Sequence, residues 1–581
     1  ASAQSMREYW ELVSKIVEAR GCHLKRYSFF EEVWKALSEG SRFLVIRAPT
    51  GCGKTEAVFT PFAHALANNT DSPWFSMVYA LPTRSLVFSM AKRFSKALKA
   101  SGVRHATVTV NYSSLFTLSP FLEGDIAVAT YDTLLYAFYG ALAPGYHILL
   151  PMSKTVGSLV VFDEIQLLQD VFWYGLSILP YHVSNLLRFG ADVIVMSATI
   201  PSVLREELLR VAKAEGGAEP REIVSSDRPA RGNLKVEVRE NPLPEGQELV
   251  ELIREAEEKD YFPVLIVVNT VEKAARVYTT LLDSKLNVEP LLLHSRLRAG
   301  ARRSVEELFE EGDLRGRRLV IVSTQVVEAG LDLDVRLLLT ELSPIDSLIQ
   351  RLGRCARRSD GEAIVFKDPG GGRYIYPKIL LESTQELVSG RDCELQETVR
   401  DVHKAQSFVD DVYRRSIIEK LTEEVKDEIA EIKRLVSYTF PSLLFSIRAR
   451  ERIRKEPLLR LGAELDGFYA SGDIYQRLLS FEKVEIPISE LTERIVRLSL
   501  RGREIPTCLL HDIGGVEKVV VLEIESVGEG TVALHPKPVD YSGASLHLSR
   551  QVLFLLNFDS YRIHNGYELG VVRCEYRSAK R

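Results

Sequence analysis

No two cysteines of this 581-residue chain are spaced C-x-x-C. Cys22, Cys52, Cys355, Cys393, Cys508 and Cys574 are scattered, which indicates neither a zinc site nor a disulfide framework and suits a reducing cytoplasm. No apolar run reaches the roughly 18 residues that a membrane crossing requires. The first residues also lack the basic-then-apolar order of a signal peptide, so no membrane partner is expected. Positive charge is not in excess: 74 Lys and Arg stand against 79 Asp and Glu, a formal net charge of -5. Any nucleic-acid binding must therefore come from a local groove. There is no internal tandem repeat. Hydrophobic (46%) and charged (26%) fractions near the globular average argue against a disordered or fibrous chain, and the length implies three or four domains.

What is present is an alternation of strands and helices. Residues 7 to 40 read as helical, and Phe43 to Ile46 is a short strand running into a Gly-rich turn. Apolar strands follow at 76 to 81, 126 to 129, 158 to 162 and 193 to 196, with helical patterns between them, which implies a parallel α/β sheet. The polar, Gly/Pro-bearing stretch 215 to 233 marks a boundary. A second series has strands near 263 to 268, 289 to 293 and 318 to 323, and closes at Gly370 to Gly372. Residues 380 to 435 are charged and helix-prone. Beyond about 440, β-rich stretches return at Val519 to Ile524, Thr531 to Leu534 and Val571 to Tyr576. The expected division is residues 1–225, 226–370, a helical connector over 371–440, and a small mixed domain over 441–581.

Three patterns carry chemistry. Ala48, Thr50, Gly51, Cys52, Gly53, Lys54 and Thr55 form a phosphate loop between a strand and a helix. Its backbone amides approach phosphates, Lys54 reaches the β and γ oxygens, and Thr55 can hold magnesium. The bland alternative is an ordinary strand-to-helix turn. Asp163 and Glu164 end a buried apolar strand. There Asp163 would coordinate magnesium through water and Glu164 would orient and deprotonate an attacking water; taken alone, the pair could cap the next helix. Ser197 and Thr199, after the following strand, offer hydroxyls that suit a linker sensing nucleotide state.

In this order and spacing, the loop, Asp163-Glu164-Ile-Gln166 and Ser197-Ala-Thr199 resemble motifs I, II and III of superfamily 2 helicases. The second half agrees. Thr324 and Gln325 with Glu328, Gly330 and Asp332 resemble motif V, and Gln350-Arg351-Leu-Gly353-Arg354 with Arg357 resembles motif VI. The resemblance implies two tandem RecA-like domains with parallel sheets, ATP and Mg2+ as cofactors, and ATP contacts that include Gly330 and Asp332. It also implies that Arg354 and Arg357 reach the γ-phosphate across a cleft, as arginine fingers do. Thr83 and Arg84, Thr130 and Asp132, and Asn269 and Thr270 match nucleic-acid contact motifs; singly, each threonine could be only a helix cap.

A finer resemblance extends over roughly residues 25 to 365. His294-Ser-Arg296, Arg303, the Thr324 to Asp332 segment and Pro344-Ile-Asp346 through Gln350 are similar to the CRISPR-associated interference helicase of type I systems. That family implies 3′-to-5′ movement on single-stranded DNA recruited by a crRNA-guided surveillance complex. The sequence departs at two positions. Glu31 stands where many helicases carry a glutamine for adenine recognition, and motif II ends in Gln166 rather than histidine or aspartate. Rival readings are a general repair or RNA helicase, and an ATP-gated clamp that does not unwind.

Many members of the family begin with an HD-type metal nuclease, for which the roughly 40 residues before the first strand leave no room, so a separate nuclease subunit is expected. His511-Asp512 imitates the HD dipeptide, but no histidine lies between His403 and His511, and coincidence is the expectation. Arg448, Arg450, Arg452 and Arg454 would share one face if the segment were a strand, and would then suit phosphates or a protein partner; a solvated helix surface is the alternative.

Overall fold

The computed structural model describes residues 3–423 apart from 22, 24, 69–71, 104, 112–121, 139–149, 168–173, 296, 298, 312–315 and 329–332; beyond them it describes 426–427, 430, the strands named below and 565–566. The order of elements begins α1 (Ala3–Glu18), α2 (Ser28–Ser38), β1 (Phe43–Arg47), α3 (Lys54–Asn68), β2 (Ser76–Leu81), α4 (Arg84–Ala100), β3 (Val108–Asn111) and β4 (Ile126–Thr130). Then come α5 (Tyr131–Phe138), α6 (Leu150–Thr155), β5 (Ser158–Asp163), α7 (Tyr174–Arg188), β6 (Asp192–Ser197), α8 (Ser202–Ala214) and β7 (Pro220–Val224). The second series is β8 (Leu234–Pro242), α9 (Gln247–Glu258), β9 (Val264–Val267), α10 (Val271–Asp283), β10 (Glu289–Leu293), α11 (Ala299–Glu311), β11 (Leu319–Ser323), β12 (Leu337–Glu341), α12 (Ile345–Leu352) and β13 (Gly361–Lys367). Four helices follow: α13 (Lys378–Val388), α14 (Asp392–Glu397), α15 (Val402–Val412) and α16 (Arg415–Thr422).

Two compact units make up the chain. One comprises Ala1–Pro242, Glu328–Gly330 and Asp334–Ala449, the other Leu243–Val327, Leu331–Leu333 and Arg450–Arg581. The first unit holds a seven-stranded sheet in the order β3-β4-β2-β5-β6-β1-β7, in which every neighbouring pair is parallel. Helices cover such sheets on both faces, so their strands are continuous apolar runs: β2, β4 and β5 are buried throughout. In the second unit β10, β11 and β9 pair in that order and in parallel, and in the first unit β12, β13 and β8 do the same.

The helical stretch over residues 7 to 40 consists of two helices. The break falls at Gly21, whose φ of 70° suits the left-handed end of a helix. α1 and α2 pack their aromatic residues together, Tyr9 stacking on Trp34 and Trp10 on Phe30. Part of the stretch 215 to 233 is also a strand. β7 lies at the edge of its sheet and buries only Ile223 among its five residues, so its polar composition hides its pairing with β1.

Farther on, the described elements are all strands: β14 (Leu458–Ala463), β15 (Lys483–Pro487), β16 (Arg494–Leu500), β17 (Arg503–Leu510), β18 (Val519–Ser526), β19 (Val532–Val539), β20 (Phe554–Leu556), β21 (Arg562–His564) and β22 (Tyr567–Gly570). Four antiparallel pairs, β14 with β15, β16 with β17, β18 with β19 and β21 with β22, account for most of them. The last pair is tied to its own unit: the His294 ring donates from Nε2 to the Leu569 carbonyl at 2.9 Å, and His564 meets Asp283 at 2.9 Å. Residues Arg448 to Arg454, His511, Asp512 and Val571 to Tyr576 lie outside the described set. Among the described residues no helix is long and apolar enough to cross a membrane.

Candidate nucleotide site and strand-contact edge

In a parallel sheet, ligands meet the loops at the carboxyl ends of the strands, and the expected motif residues of the first unit gather there. β1 leads into the phosphate loop, and its register sets Arg47 beside Ser197 of β6. The Ala48 amide donates to the Ser197 carbonyl at 3.3 Å, which joins motif I to motif III through backbone. Gly51 and Gly53 take φ values of 88° and 81°. A Cβ on Gly53 would meet the Phe30 ring at 2.8 Å, so that position tolerates no side chain. Lys54 opens α3 and is only 7% exposed; its Nζ donates to the Ala48 carbonyl at 3.0 Å. Thr55 and Cys52 are buried beside it, while Thr50 is half-buried. Next to them Glu56 pairs with Arg20 at 2.6 Å and with Arg93. Burial opposes its charge, yet the two guanidiniums hold its carboxyl down to about 2.

Asp163 ends β5. The Tyr79 hydroxyl donates to its Oδ2 at 2.7 Å and lies 3.5 Å from the Thr55 hydroxyl, while the Glu164 amide donates to Oδ1 at 2.9 Å. The Tyr131 hydroxyl donates to the Asp163 main-chain oxygen. Burial, reinforced by the neighbouring Glu164, pushes the Asp163 carboxyl up to about 7. Glu164 sits at φ 56°, a left-handed conformation that costs on the order of 1–3 kcal/mol in a non-glycine residue and recurs at functional sites. The Gln166 amide donates to Glu164 Oε2, and the Ser197 hydroxyl bonds both Gln166 Oε1 and, at 2.7 Å, the Thr199 carbonyl. The departure at position 166 is thus the link between motifs II and III. Glu31 accepts from the Trp10 indole at 2.8 Å.

The donor set suits magnesium. A hydroxyl on Thr55 and a carboxylate on Asp163 are the hard oxygen ligands that this ion takes, with the remainder from water and phosphate, and the Tyr79 hydroxyl lies near both.

Thr83 caps α4, its hydroxyl accepting from the Leu86 amide at 3.4 Å. Thr130 ends β4, adjacent to β2, and donates to Thr133 at 2.8 Å. The side chains of Arg84 and Asp132 lie outside the described set. In the second unit, Asn269 is buried after β9, Thr270 caps α10 through the Lys273 amide at 3.2 Å, and Thr324 and Gln325 follow the adjacent strand β11. These four therefore share one carboxyl edge. Gly330 and Asp332 lie outside the described residues.

Motif VI divides its arginines. Arg351, 0% exposed, donates to Glu328 Oε1 at 2.7 Å, the Thr340 hydroxyl at 3.1 Å, the Glu341 carbonyl at 3.0 Å and the Tyr376 hydroxyl at 3.0 Å. It is a structural anchor. Arg354, beyond the end of α12, donates to the Glu328 carbonyl at 2.6 Å, and the Arg357 amide donates to Asp334 at 2.9 Å; Gln350 is buried on α12. Arg231 was missed by the sequence reading. Its guanidinium donates to the carbonyls of Gly353 and Cys355 at 2.9 and 2.7 Å, bracketing Arg354, and burial, with Arg357 nearby, pulls its pKa down to about 10. Tyr79 was missed too, because β2 is buried on both faces and no alternation distinguishes an inward tyrosine.

Residues 28–206 match the family described as DEAD/DEAH box helicase, and residues 261–360 match CRISPR-associated nuclease/helicase Cas3, C-terminal. The CRISPR-associated helicase Cas3 of Thermoproteus tenax is 27% identical over 431 residues, 71% of this chain and 70% of that protein. The nuclease/helicase Cas3 of Methanothermobacter thermautotrophicus is longer, and the chain spans 46% of it at 25% identity over 65% of its own length. The T. fusca Cas3 crystal structure with AMPPNP shares the fold, with a TM-score of 0.62 at 19% identity over 87% of this chain and 71% of that one. With the motif residues gathered on parallel-sheet edges in both units, these matches show that the chain is similar to the Cas3 helicases in its DEAD/DEAH-box and Cas3 C-terminal segments.

Proposed function

We propose that the chain is an ATP-driven motor that translocates on single-stranded DNA, 3′ to 5′, and separates strands for CRISPR interference. The observation that carries this is the chain of hydrogen bonds from Glu164 through Gln166 to Ser197, beside the phosphate loop. It gives the hydrolytic carboxylate a direct route to the segment that would report nucleotide state.

In this reading the loop amides cradle the ATP phosphates and Lys54 leaves the Ala48 carbonyl to meet the β and γ oxygens. Thr55 and Asp163 would hold magnesium, whose charge would offset that of the phosphates. Glu164 takes the proton of the attacking water. Arg354 and Arg357 meet the charge that develops on the transferred phosphoryl group, and Arg231 positions the turn that bears them. Gln350, Gly330 and Asp332 complete the nucleotide contacts. Thr83, Arg84, Thr130 and Asp132 on one edge, and Asn269, Thr270, Thr324 and Gln325 on the other, hold sugar-phosphate without reading bases.

The work divides among residues 1–225, residues 226–370, a connector over 371–440 and an accessory domain over 441–581. The partners we propose are a crRNA-guided surveillance complex and a separate HD-type nuclease, in a cytoplasmic setting. With manganese, nickel or cobalt the purified chain is expected to leave labelled single strands intact. ATPase stimulation by single-stranded DNA over RNA tests the substrate, and stimulation by RNA alone would favour an RNA helicase.

A further inference from the structure

The connector helix α15 does more than join two regions. Gln406, which is buried, clasps the backbone of Ile200 from both sides: its Nε2 donates to the Ile200 carbonyl at 2.6 Å, and the Ile200 amide donates to its Oε1 at 3.2 Å. One turn on, Asp410 accepts from the Ser202 amide at 2.8 Å and from the Ser202 hydroxyl at 2.7 Å. Positions four apart share a helix face, and Gln406 also donates to Asp410 at 3.1 Å. α8 begins at Ser202 behind Pro201, which makes no side-chain cap. Asp410 therefore satisfies an amide that the first turn of α8 would otherwise leave open. The clasped segment directly follows Ser197 and Thr199.

The far end of the same helix grips a second motif. The Tyr413 hydroxyl donates to Asp346 Oδ1 at 2.6 Å, and both side chains are buried. Asp346 lies in the first turn of α12, against which α15 packs. The last turn of α12 carries Gln350 and Arg351, and the chain reaches Arg354 two residues after it. One eleven-residue helix with the residue that follows it thus holds the segment after motif III and the start of the motif VI helix. A hydrogen-bonded helix transmits displacement along its axis, and packed elements shift between discrete arrangements rather than deforming continuously.

We propose that Gln406, Asp410 and Tyr413 are positioning residues that couple motif III to motif VI, so that α15 converts a nucleotide-dependent shift at Ser197–Ser202 into movement of α12, the helix that leads into Arg354. The inference rests on the motor reading above. Its test is the number of ATP molecules hydrolysed per base pair separated, a ratio that a merely structural role leaves unchanged. Gln406→Ala is compared with Tyr413→Phe, which removes a single oxygen and guards against misfolding. Each variant is expected to raise the ratio about tenfold, equivalent to ~1.4 kcal/mol of lost coupling, and the double variant less than additively, since both act through one helix. An unchanged ratio in both variants, whether or not the two rates fall together, overturns the proposal while the motor reading stands. A wild-type chain that hydrolyses ATP and separates no strands removes the motor reading, and the coupling with it.

Discussion

Lys54 Nζ donates to the carbonyl oxygen of Ala48, 3.0 Å away, so a buried ammonium is folded back on the start of its own loop. Entry of a triphosphate replaces that carbonyl by charged oxygens, a stronger partner. Lys54→Ala is expected to abolish ATP hydrolysis while single-stranded DNA binding survives, because the proposed strand contacts are spread over both parallel sheets. Phosphate release and DNA affinity measured on the same preparation check this, and loss of DNA binding in a folded variant would contradict the separation.

The arginines of motif VI should part company in the same way. Arg351 is fully buried against Glu328, and breaking a buried pair from one side costs about 3–5 kcal/mol. Arg351→Ala is therefore expected to lower the unfolding midpoint sharply. Arg354→Ala should leave that midpoint within a few degrees but reduce turnover on the order of 10³-fold at saturating ATP, with nucleotide affinity little changed. Unchanged turnover in Arg354→Ala would remove it from the finger role.

Those two arginines show how far sequence could be read. The spacing of the motifs singled out the loop at residues 48–55, Asp163, Glu164, Ser197 and the arginines after residue 350 as candidates, because glycines, a lysine and paired carboxylates at strand ends need a reason to be there. What spacing could not show was long-range pairing. Arg231 bracketing Arg354, Gln406 clasping Ile200, and Tyr79 beneath Asp163 join residues 84 to 206 positions apart. β7 escaped for a different reason: an edge strand can be polar, and only its pairing with β1 reveals it.

Asp346 gives the structure a distinctive pH response. Burial pushes its carboxyl from 3.8 up to about 7. Between those values the folded state keeps a proton that the unfolded state has released, so this stability is fully present below about 4 and is lost as pH rises through about 7. Asp346→Asn keeps an oxygen for the Tyr413 hydroxyl and carries no charge. It should gain on the wild type as pH rises, by at most ~1.4 kcal/mol per pH unit. Urea midpoints of both proteins at pH 5 and pH 8 measure this, and because Asp163, also pushed up to about 7, is common to both, the difference isolates Asp346. A difference that does not change with pH would contradict the assignment.

In the proposed motor, hydrolysis at Asp163 and Glu164 drives strand separation. A duplex with a 3′ single-stranded tail, labelled on the displaced strand, is incubated with the chain, magnesium and ATP, and with Glu164→Gln as the paired control. The wild type is expected to release the labelled strand with ATP and not with a non-hydrolysable analogue, and Glu164→Gln to release none although it still binds nucleotide. Equal release without hydrolysis, or vigorous DNA-stimulated hydrolysis with no release, would contradict the motor reading and leave the chain an ATP-gated clamp.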